Sequence, residues 1–230
     1  MYNFPQILSA LHFWDPASST FHTPYGMLSI TLFEVTVITG LKPTGQVISP
    51  SISPQSSVDL DFSNPSYINF IQNNMGSGPE ISEQEHTAFL LLWLSYSVFY
   101  SKSLSVGKSM LPLARLLHEG IDVSLSKLLL ASLYESLGDL YMSLKDHNIC
   151  PSNIGSPFWL LQLWLNAIYY LSFKEVNIAL PSKTPYGRKL VHLSVYMSSA
   201  EQKLAFRTYF QWFLTLKTYN PYLSPFSTRN

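Results

Sequence analysis

Residues 21–45 read FHTPYGMLSITLFEVTVITGLKPTG, and this stretch specifies a local structure in some detail. Two short β-like runs, FHT and LSITL, flank the turn signal Pro24-Tyr25-Gly26. Thr31 and Glu34 have the spacing of a capping box, in which each side chain accepts a hydrogen bond from the backbone N–H of the other residue. A short helix follows, and Gly40 ends it because glycine readily takes the left-handed conformation. The stretch therefore predicts a β-hairpin that leads into a helix.

The rest of the chain divides by composition into two further segments. Residues 1–42 hold the hairpin and its helix. Residues 43–81 contain five prolines among many Ser and Asn residues, which predicts a loop-rich insertion with one or two helical turns at 67–75. Residues 82–230 open with a second capping box, at Ser82 to Glu85, and read as helical. At 230 residues the chain suits one domain, with a mainly α fold: helical and bundle-like, with a short N-terminal β-hairpin.

Several helices are predicted in this last segment. The run 88–100 is apolar all round, which is typical of a central core helix. Two more helices are expected near 107–118 and 124–144. A third capping box, at Ser198 to Glu201, opens a helix that runs to about Lys217.

The most apolar segment, 157–173, carries one polar stripe. Gln162, Asn166 and Tyr169 are spaced at i, i+4 and i+7, so they share one face of a helix. A lipid-facing helix would not carry such a stripe, which favours a buried helix over a membrane span. The stripe either packs inside the protein or holds a protein partner.

The five tryptophans offer a second set of candidates for contact with a partner, because interfaces are enriched in aromatic residues. We expect Trp93, Trp159 and Trp164 to pack in the core. Trp14 and Trp212 are the tryptophans that we expect to be exposed. The candidate partner-binding residues are therefore Trp14, Gln162, Asn166 and Trp212.

Charge is unevenly distributed along a chain that is neutral overall. Residues 1–146 hold 12 acidic and 6 basic side chains, a net charge of −6, whereas 176–230 hold seven basic side chains and one acidic, a net charge of +6. The two halves either complement each other within the molecule, or the basic part is a contact surface for nucleic acid or an acidic partner. The candidate nucleic-acid-binding residues are Arg188, Lys189, Lys203 and Arg207.

Sequence motifs of catalysis are incomplete or missing. The GKS at 107–109 lacks the preceding glycine of a phosphate-binding loop, because that position is Lys102. His118-Glu119 lacks the second histidine of a zinc motif, and the six histidines show no ligand spacing. Cys150 is the single cysteine, which fits a reducing compartment. We therefore predict no enzymatic activity, no metal and no cofactor.

Five blocks of the sequence together resemble the plant mobile domain, the domain of maintenance-of-meristems-like proteins that also carry the label aminotransferase-like. They are FWDPASSTFHTPYGMLSITLFEVTVITGLKPTG (13–45), FLLLWLSYSVFYSKS (89–103), LARLLHEGIDVSLSKLLLASLYESLGDL (113–140), GSPFWLLQLWLNAIYYL (155–171) and the weaker YNPYLSPF (219–226). Two features depart from the family pattern. Met27 stands where many members carry Glu, and the family domain usually extends beyond these blocks at both ends, so we expect a shortened member.

The resemblance implies a nuclear protein with a role in meristem maintenance, transposon silencing and genome stability. It also implies a nuclear protein partner, and a plant-specific PPP-type phosphatase is one such partner of the family. The label aminotransferase-like implies pyridoxal phosphate, but none of the ten lysines stands in a recognisable Schiff-base context. We therefore expect a non-enzymatic nuclear interaction module. The alternative is a transposon-derived nucleic-acid-binding domain that uses the basic C-terminal segment.

Overall fold

The structure is a computed structural model, and it describes residues 3–48, 54, 57–100, 105–146, 157–173 and 199–215. Within these ranges the chain is mainly helical, with a small antiparallel sheet near the N-terminus, as predicted. The α-helices are α1 (Phe4–Leu11), α2 (Leu32–Thr39), α3 (Tyr67–Asn74), α4 (Glu83–Trp93), α5 (Leu111–His118), α6 (Leu125–Lys145), α7 (Phe158–Phe173) and α8 (Ser199–Thr215).

The N-terminal sheet has three strands rather than the two of a hairpin. They are β1 (Trp14–Asp15), β2 (Thr20–Thr23) and β3 (Gly26–Leu28), in that order and antiparallel. The β2–β3 turn falls at Pro24-Tyr25, as predicted, but β3 ends at Leu28 and LSITL is therefore not a continuous strand. The two-residue β1 escaped prediction because it is too short to show alternation.

The helix after the sheet is fixed at both ends as the sequence predicts. The Thr31 hydroxyl accepts from the N–H of Phe33, while the Glu34 carboxylate accepts from the N–H of Thr31 at 2.9 Å. Gly40 ends α2 in the left-handed conformation, with φ of 71°.

At α4 the Ser82 hydroxyl accepts from the N–H of Glu85 at 3.2 Å, which confirms Ser82 as the N-cap. Ser198, of the third capping box, lies outside the described residues.

The chain forms two compact units. The first contains the described residues within 1–40, 133–151 and 158–230, and the second contains those within 41–132 and 152–157. In the first unit, α1 packs on α7 and extensively on α8, and α2 packs on α7. Its core includes Ile7, Leu11, Trp14, Phe21, Ile30, Leu133, Leu137, Phe158, Leu161, Trp164 and Phe213.

The second unit is built on α4, which packs against α3 and α5. The segment 43–81, predicted as a loop-rich insertion, contains α3, which matches the helical turns expected at 67–75. Backbone bridges join Gln46 to Val123 and Ser66 to Ser105. The Asn74 amide accepts from the N–H of Asp61 at 2.9 Å and donates to its carbonyl at 3.0 Å, so the end of α3 holds the preceding loop.

The prediction of a central core helix at 88–100 is wrong in two respects. The α-helical part ends at Trp93 and continues as a π-turn over Leu94–Val98. Phe89 is 61% exposed and Tyr96 is also exposed, so the segment buries only part of its surface. A purely apolar run gives no sign of which face is buried, because the apolar stripe has no polar boundary.

No helix in the described part of the chain is long and apolar enough to cross a bilayer. The segment 157–173, which the sequence places inside the protein, forms α7 with Leu160, Leu161 and Leu165 buried. The polar stripe thus belongs to a core helix, in agreement with the preference for burial over a membrane span.

Two glycines give a direct test of the fold. A Cβ on Gly45, which has φ of 120°, would lie 2.7 Å from the Asp122 carbonyl oxygen, whereas a Cβ on Gly138 in α6 meets nothing within 4 Å. We expect Gly45→Ala to lower the free energy of unfolding by roughly 1–3 kcal/mol through backbone strain. Gly138→Ala, the matched control, should raise it by about 0.5–1 kcal/mol. Urea denaturation measures the free energy of unfolding of both variants. Equal changes in the two would contradict the close approach of Gly45 to the Asp122 carbonyl oxygen.

Candidate functional site

The polar stripe of α7 is used inside the first unit. The side-chain carbonyl of Gln162 accepts from the backbone N–H of Asn3 at 2.9 Å. The Asn166 amide oxygen accepts from Nε2 of Gln6, also at 2.9 Å. All four residues are buried. The stripe therefore joins α7 to the start of α1, and the expectation that Gln162 and Asn166 hold a protein partner is corrected: their polar groups face their own chain.

Helix α8 joins the same network. The Asn3 side-chain amide donates to the Tyr209 hydroxyl at 2.8 Å, and the Ser9 hydroxyl lies 3.1 Å from the carbonyl oxygen of Phe206. Burial raises the pKa of the Tyr209 phenol above its ordinary value of 10.0, while the hydrogen bond from Asn3 acts in the opposite direction. The network therefore connects three helices that are distant in sequence, and Asn3 lies at its centre.

Trp14 is a buried residue rather than an exposed candidate for partner binding. It is 3% exposed, and its ring centroid lies 4.9 Å from that of Phe21 and 5.6 Å from that of Tyr134. The physical reason is the register of the sheet, which pairs Trp14 with Phe21 across β1 and β2 and brings the two rings together. Strand β1 was not predicted from the sequence, and the burial of Trp14 could therefore not be predicted either.

The remaining candidates divide between the described helix α8 and residues outside the described ranges. Trp212 is half-buried, with its ring 5.2 Å from that of Phe213. Lys203 and Arg207 are both exposed, one turn apart on α8. Arg188 and Lys189 lie outside the described residues. Of the proposed basic cluster, the structure thus places two residues on one helix face.

Two clusters of polar side chains were not predicted from the sequence, and the geometry of both is that of a structural contact. At the β1–β2 turn the Ser18 hydroxyl donates to Asp15 Oδ2 at 2.6 Å and lies 3.1 Å from His22 Nε2. A hydrolytic triad requires the carboxylate on the other ring nitrogen, but Asp15 Oδ2 lies 3.7 Å from the same Nε2. Asp15 also accepts from the N–H groups of Ala17 and Ser18, which closes the turn. The Ser18 hydrogen bond lowers the pKa of the Asp15 carboxyl below its usual value.

The second cluster links α4 to α5. Nδ1 of His86 lies 2.8 Å from Nδ1 of His118, so one imidazole donates and the other accepts. His118 Nε2 lies 3.8 Å from a Glu83 carboxylate oxygen. No group of three His, Cys, Asp or Glu side chains with metal-binding geometry occurs among the residues that the structure describes. The pair is therefore read as a contact between two packed helices.

An apolar groove lies between α3 and α4 in the second unit, and nothing in the sequence pattern pointed to it. Its volume is about 240 Å³. Phe89 and Met75 are each 61% exposed along it, and Ile71 is also exposed. The lining residues, which define the α3–α4 groove, are Phe70, Ile71, Asn74, Met75, Glu85, Ala88, Phe89 and Leu92.

The groove depends on small residues beside large ones. Phe70 and Ala88 are buried and belong to its lining, so large and small side chains stand side by side there. Gly76 allows the chain to pass close to Glu85, because a Cβ there would lie 2.6 Å from Glu85 Oε2. The Asn74 amide also donates to the Phe70 carbonyl oxygen at 2.9 Å, which holds it within α3. The groove is thus a formed feature of the second unit.

The chemistry of the groove suits apolar side chains better than a cofactor. Small-molecule pockets usually occupy about 300–1,000 Å³ and contain several convergent polar groups. Among the described residues that line the groove, Glu85 is the one with a charge, and none is a lysine, histidine or cysteine. The groove can take up one or two apolar side chains, with a cation next to the Glu85 carboxylate.

The α1–α7 network predicts energetic coupling between two buried amides. Gln6→Met and Asn166→Leu each leave the other amide without this hydrogen bond and should each cost about 1–3 kcal/mol of stability. The double variant removes both polar groups, so its cost should be smaller than the sum of the two single costs. Urea denaturation of the four proteins gives the coupling energy. Strict additivity would contradict the Gln6–Asn166 interaction.

The raised pKa of Tyr209 predicts a loss of stability in alkali. A phenol whose pKa is higher in the folded than in the unfolded chain stabilises the folded state. This stabilisation is complete below about pH 10, the value in the unfolded chain, and is lost as the pH rises through the pKa of the folded chain. Tyr209→Phe should therefore flatten the fall in melting temperature above about pH 10. Tyr96→Phe, which removes an exposed hydroxyl, is the matched control. An unchanged slope in Tyr209→Phe would contradict the burial of an ionisable phenol.

Comparison with known proteins gives one match. A model of the plant mobile domain family matches residues 2–203, which include every described strand and most described helices. No curated protein and no solved structure matches the chain. The family match covers well over half of the 230 residues and agrees with the resemblance carried by the five sequence blocks. The chain belongs to the plant mobile domain family.

Proposed function

We propose that this chain is a non-enzymatic interaction module that binds a protein segment in the α3–α4 groove. The observation that carries the proposal is the exposure of Ile71, Met75 and Phe89 along an apolar groove. A contiguous exposed apolar patch that is rimmed by polar residues is one mark of a protein–protein contact site. An apolar helix face that inserts into such a groove is a recurrent mode of peptide recognition.

The described lining of the groove carries one charged residue, Glu85. The sequence around it, between Lys42 and Lys102, contains five acidic residues and no lysine or arginine. A basic segment with apolar anchors would place a cation near Glu85 while its apolar side chains fill the groove. The partner is therefore a protein with a basic, amphipathic segment.

Membership of the plant mobile domain family supports the wider setting of this proposal. We place the module in the nucleus, with a role in meristem maintenance, transposon silencing and genome stability. A plant-specific PPP-type phosphatase is the partner class that the resemblance suggests. The groove gives such a partner a defined point of contact.

A second candidate function is nucleic-acid binding through α8. The observation that favours it is the exposure of Lys203 and Arg207 one turn apart on the same helix. Phosphate contacts from these side chains would weaken steeply with salt. The interaction module is the stronger proposal, because the groove offers a concave shape and apolar surface in addition to the charge of Glu85.

The test is recovery of partners from plant nuclear extract by the tagged chain, with nuclease present and at two salt concentrations. We expect Phe89→Glu to reduce recovery of a protein partner at least about tenfold, since it places a carboxylate in an apolar contact. Phe33→Glu is the matched control, because Phe33 is an exposed aromatic residue on α2 in the first unit. Equal recovery by Phe89→Glu and the unchanged chain would refute the groove, and nucleic acid lost with salt would favour the second candidate.

A further inference from the structure

Helix α8 of the same chain carries both exposed cations and exposed leucines. We propose that the α3–α4 groove of one copy binds the outer face of α8 from a second copy. This inference rests on the proposed function, because it names the segment that the groove takes up. It predicts self-association of the chain through two different surfaces.

Helix α8 has an inner and an outer face. Tyr209 and Phe213 are buried against the first unit, and the ring of Phe213 lies 5.4 Å from that of Phe13. On the outer side Leu204 is 67% exposed, and Leu214 is exposed further along the helix. The inner face is thus occupied by packing within the chain, whereas Leu204 and Leu214 are exposed on the outer face.

The outer face combines the two properties that the groove requires. Lys203 and Arg207 are exposed on the same side of Leu204 around the helix, and Glu201 is exposed one turn before it. Leu204, Arg207 and Leu214 are spaced at i, i+3 and i+10, which keeps them on one side of a helix. Leu204 can enter the groove beside Phe89 while Lys203 or Arg207 approaches Glu85. Nucleic acid would engage the two cations but would leave the leucines and the groove without a role.

The dimensions of the two surfaces indicate a weak contact. With a rise of about 1.5 Å per residue, α8 is roughly 25 Å long and α3 and α4 are about 12 and 16 Å long. The buried area therefore falls in the class of small, transient interfaces, below about 1,200 Å². Because the groove and α8 are different surfaces, the contact is heterologous, and such contacts give a ring where the rotation closes and an open filament where it does not.

Sedimentation velocity of the full chain from about 5 to 500 µM tests the association. We expect the weight-average sedimentation coefficient to rise with concentration. Phe89→Glu and Leu204→Glu should each weaken association at least about tenfold. Glu85→Lys and Arg207→Glu should each weaken it a few-fold, and the variant carrying both should recover, because the charge pair is restored in reversed order. Phe33→Glu is the control and should associate like the unchanged chain.

Cross-linking in trans identifies the surfaces directly. In a Cys150→Ser background, one tagged copy carries Phe89→Cys and a differently tagged copy carries Leu204→Cys. Mild oxidation should give a mixed disulfide-linked dimer that each copy alone does not form. Phe33→Cys mixed with Leu204→Cys is the matched control and should give much less product. A mixed dimer no more abundant than this control would overturn the proposal even if the chain associates by another route.

The outcomes separate this inference from the function on which it rests. If the chain stays monomeric at all concentrations while Phe89→Glu still loses a nuclear protein, the occupant is another protein and self-association is wrong. If Phe89→Glu changes neither partner recovery nor sedimentation, the groove has no binding role and both proposals fail. If Phe89→Glu and Leu204→Glu weaken association and the mixed disulfide forms, the second copy is the occupant.

Discussion

The first unit depends on satisfying two amides in an otherwise apolar helix. Gln162 and Asn166 are buried in α7, where an unpaired amide costs a few kcal/mol. Their partners, Asn3 and Gln6, lie 159 and 160 residues away in sequence. Because both bonds run to α1, they set the position of α1 along α7, and Asn3 extends the same constraint to α8 through Tyr209. Apolar packing alone would tolerate other registers of these helices, whereas these hydrogen bonds select one.

This use of polar groups changes where a binding surface is to be sought. Side chains that bond within the chain are not available to a partner, so the stripe on α7 drops out as an interface. In our proposal the exposed apolar surface of α3 and α4 takes its place. There Asn74 bonds to the backbone of Asp61, and Glu85 belongs to the groove lining. The low charged fraction of the chain, 12%, is consistent with exposed apolar surface of this kind.

The sequence predicted those features that depend on neighbouring residues. The Thr31–Glu34 capping box, the left-handed Gly40 and the turn at Pro24-Tyr25 all lie within a few residues of their partners. Burial of Trp14 and exposure of Phe89 depend instead on strands and helices that meet only in the folded chain. A polar stripe such as that of α7 has the same periodicity whether it faces a partner or α1, so spacing could not decide between them. The groove forms where α3 and α4 meet, so the sequence of neither helix alone predicts it.

In the proposed contact, the charge asymmetry along the chain acts between molecules. On α8 an exposed leucine lies beside Lys203 and Arg207, and on α4 a carboxylate lies in a lining that is otherwise mainly apolar. Each surface thus pairs charge with apolar area, which is the combination that gives orientation and affinity at a contact between molecules. Charge alone would be screened at physiological ionic strength, whereas burial of Leu204 and Phe89 would not.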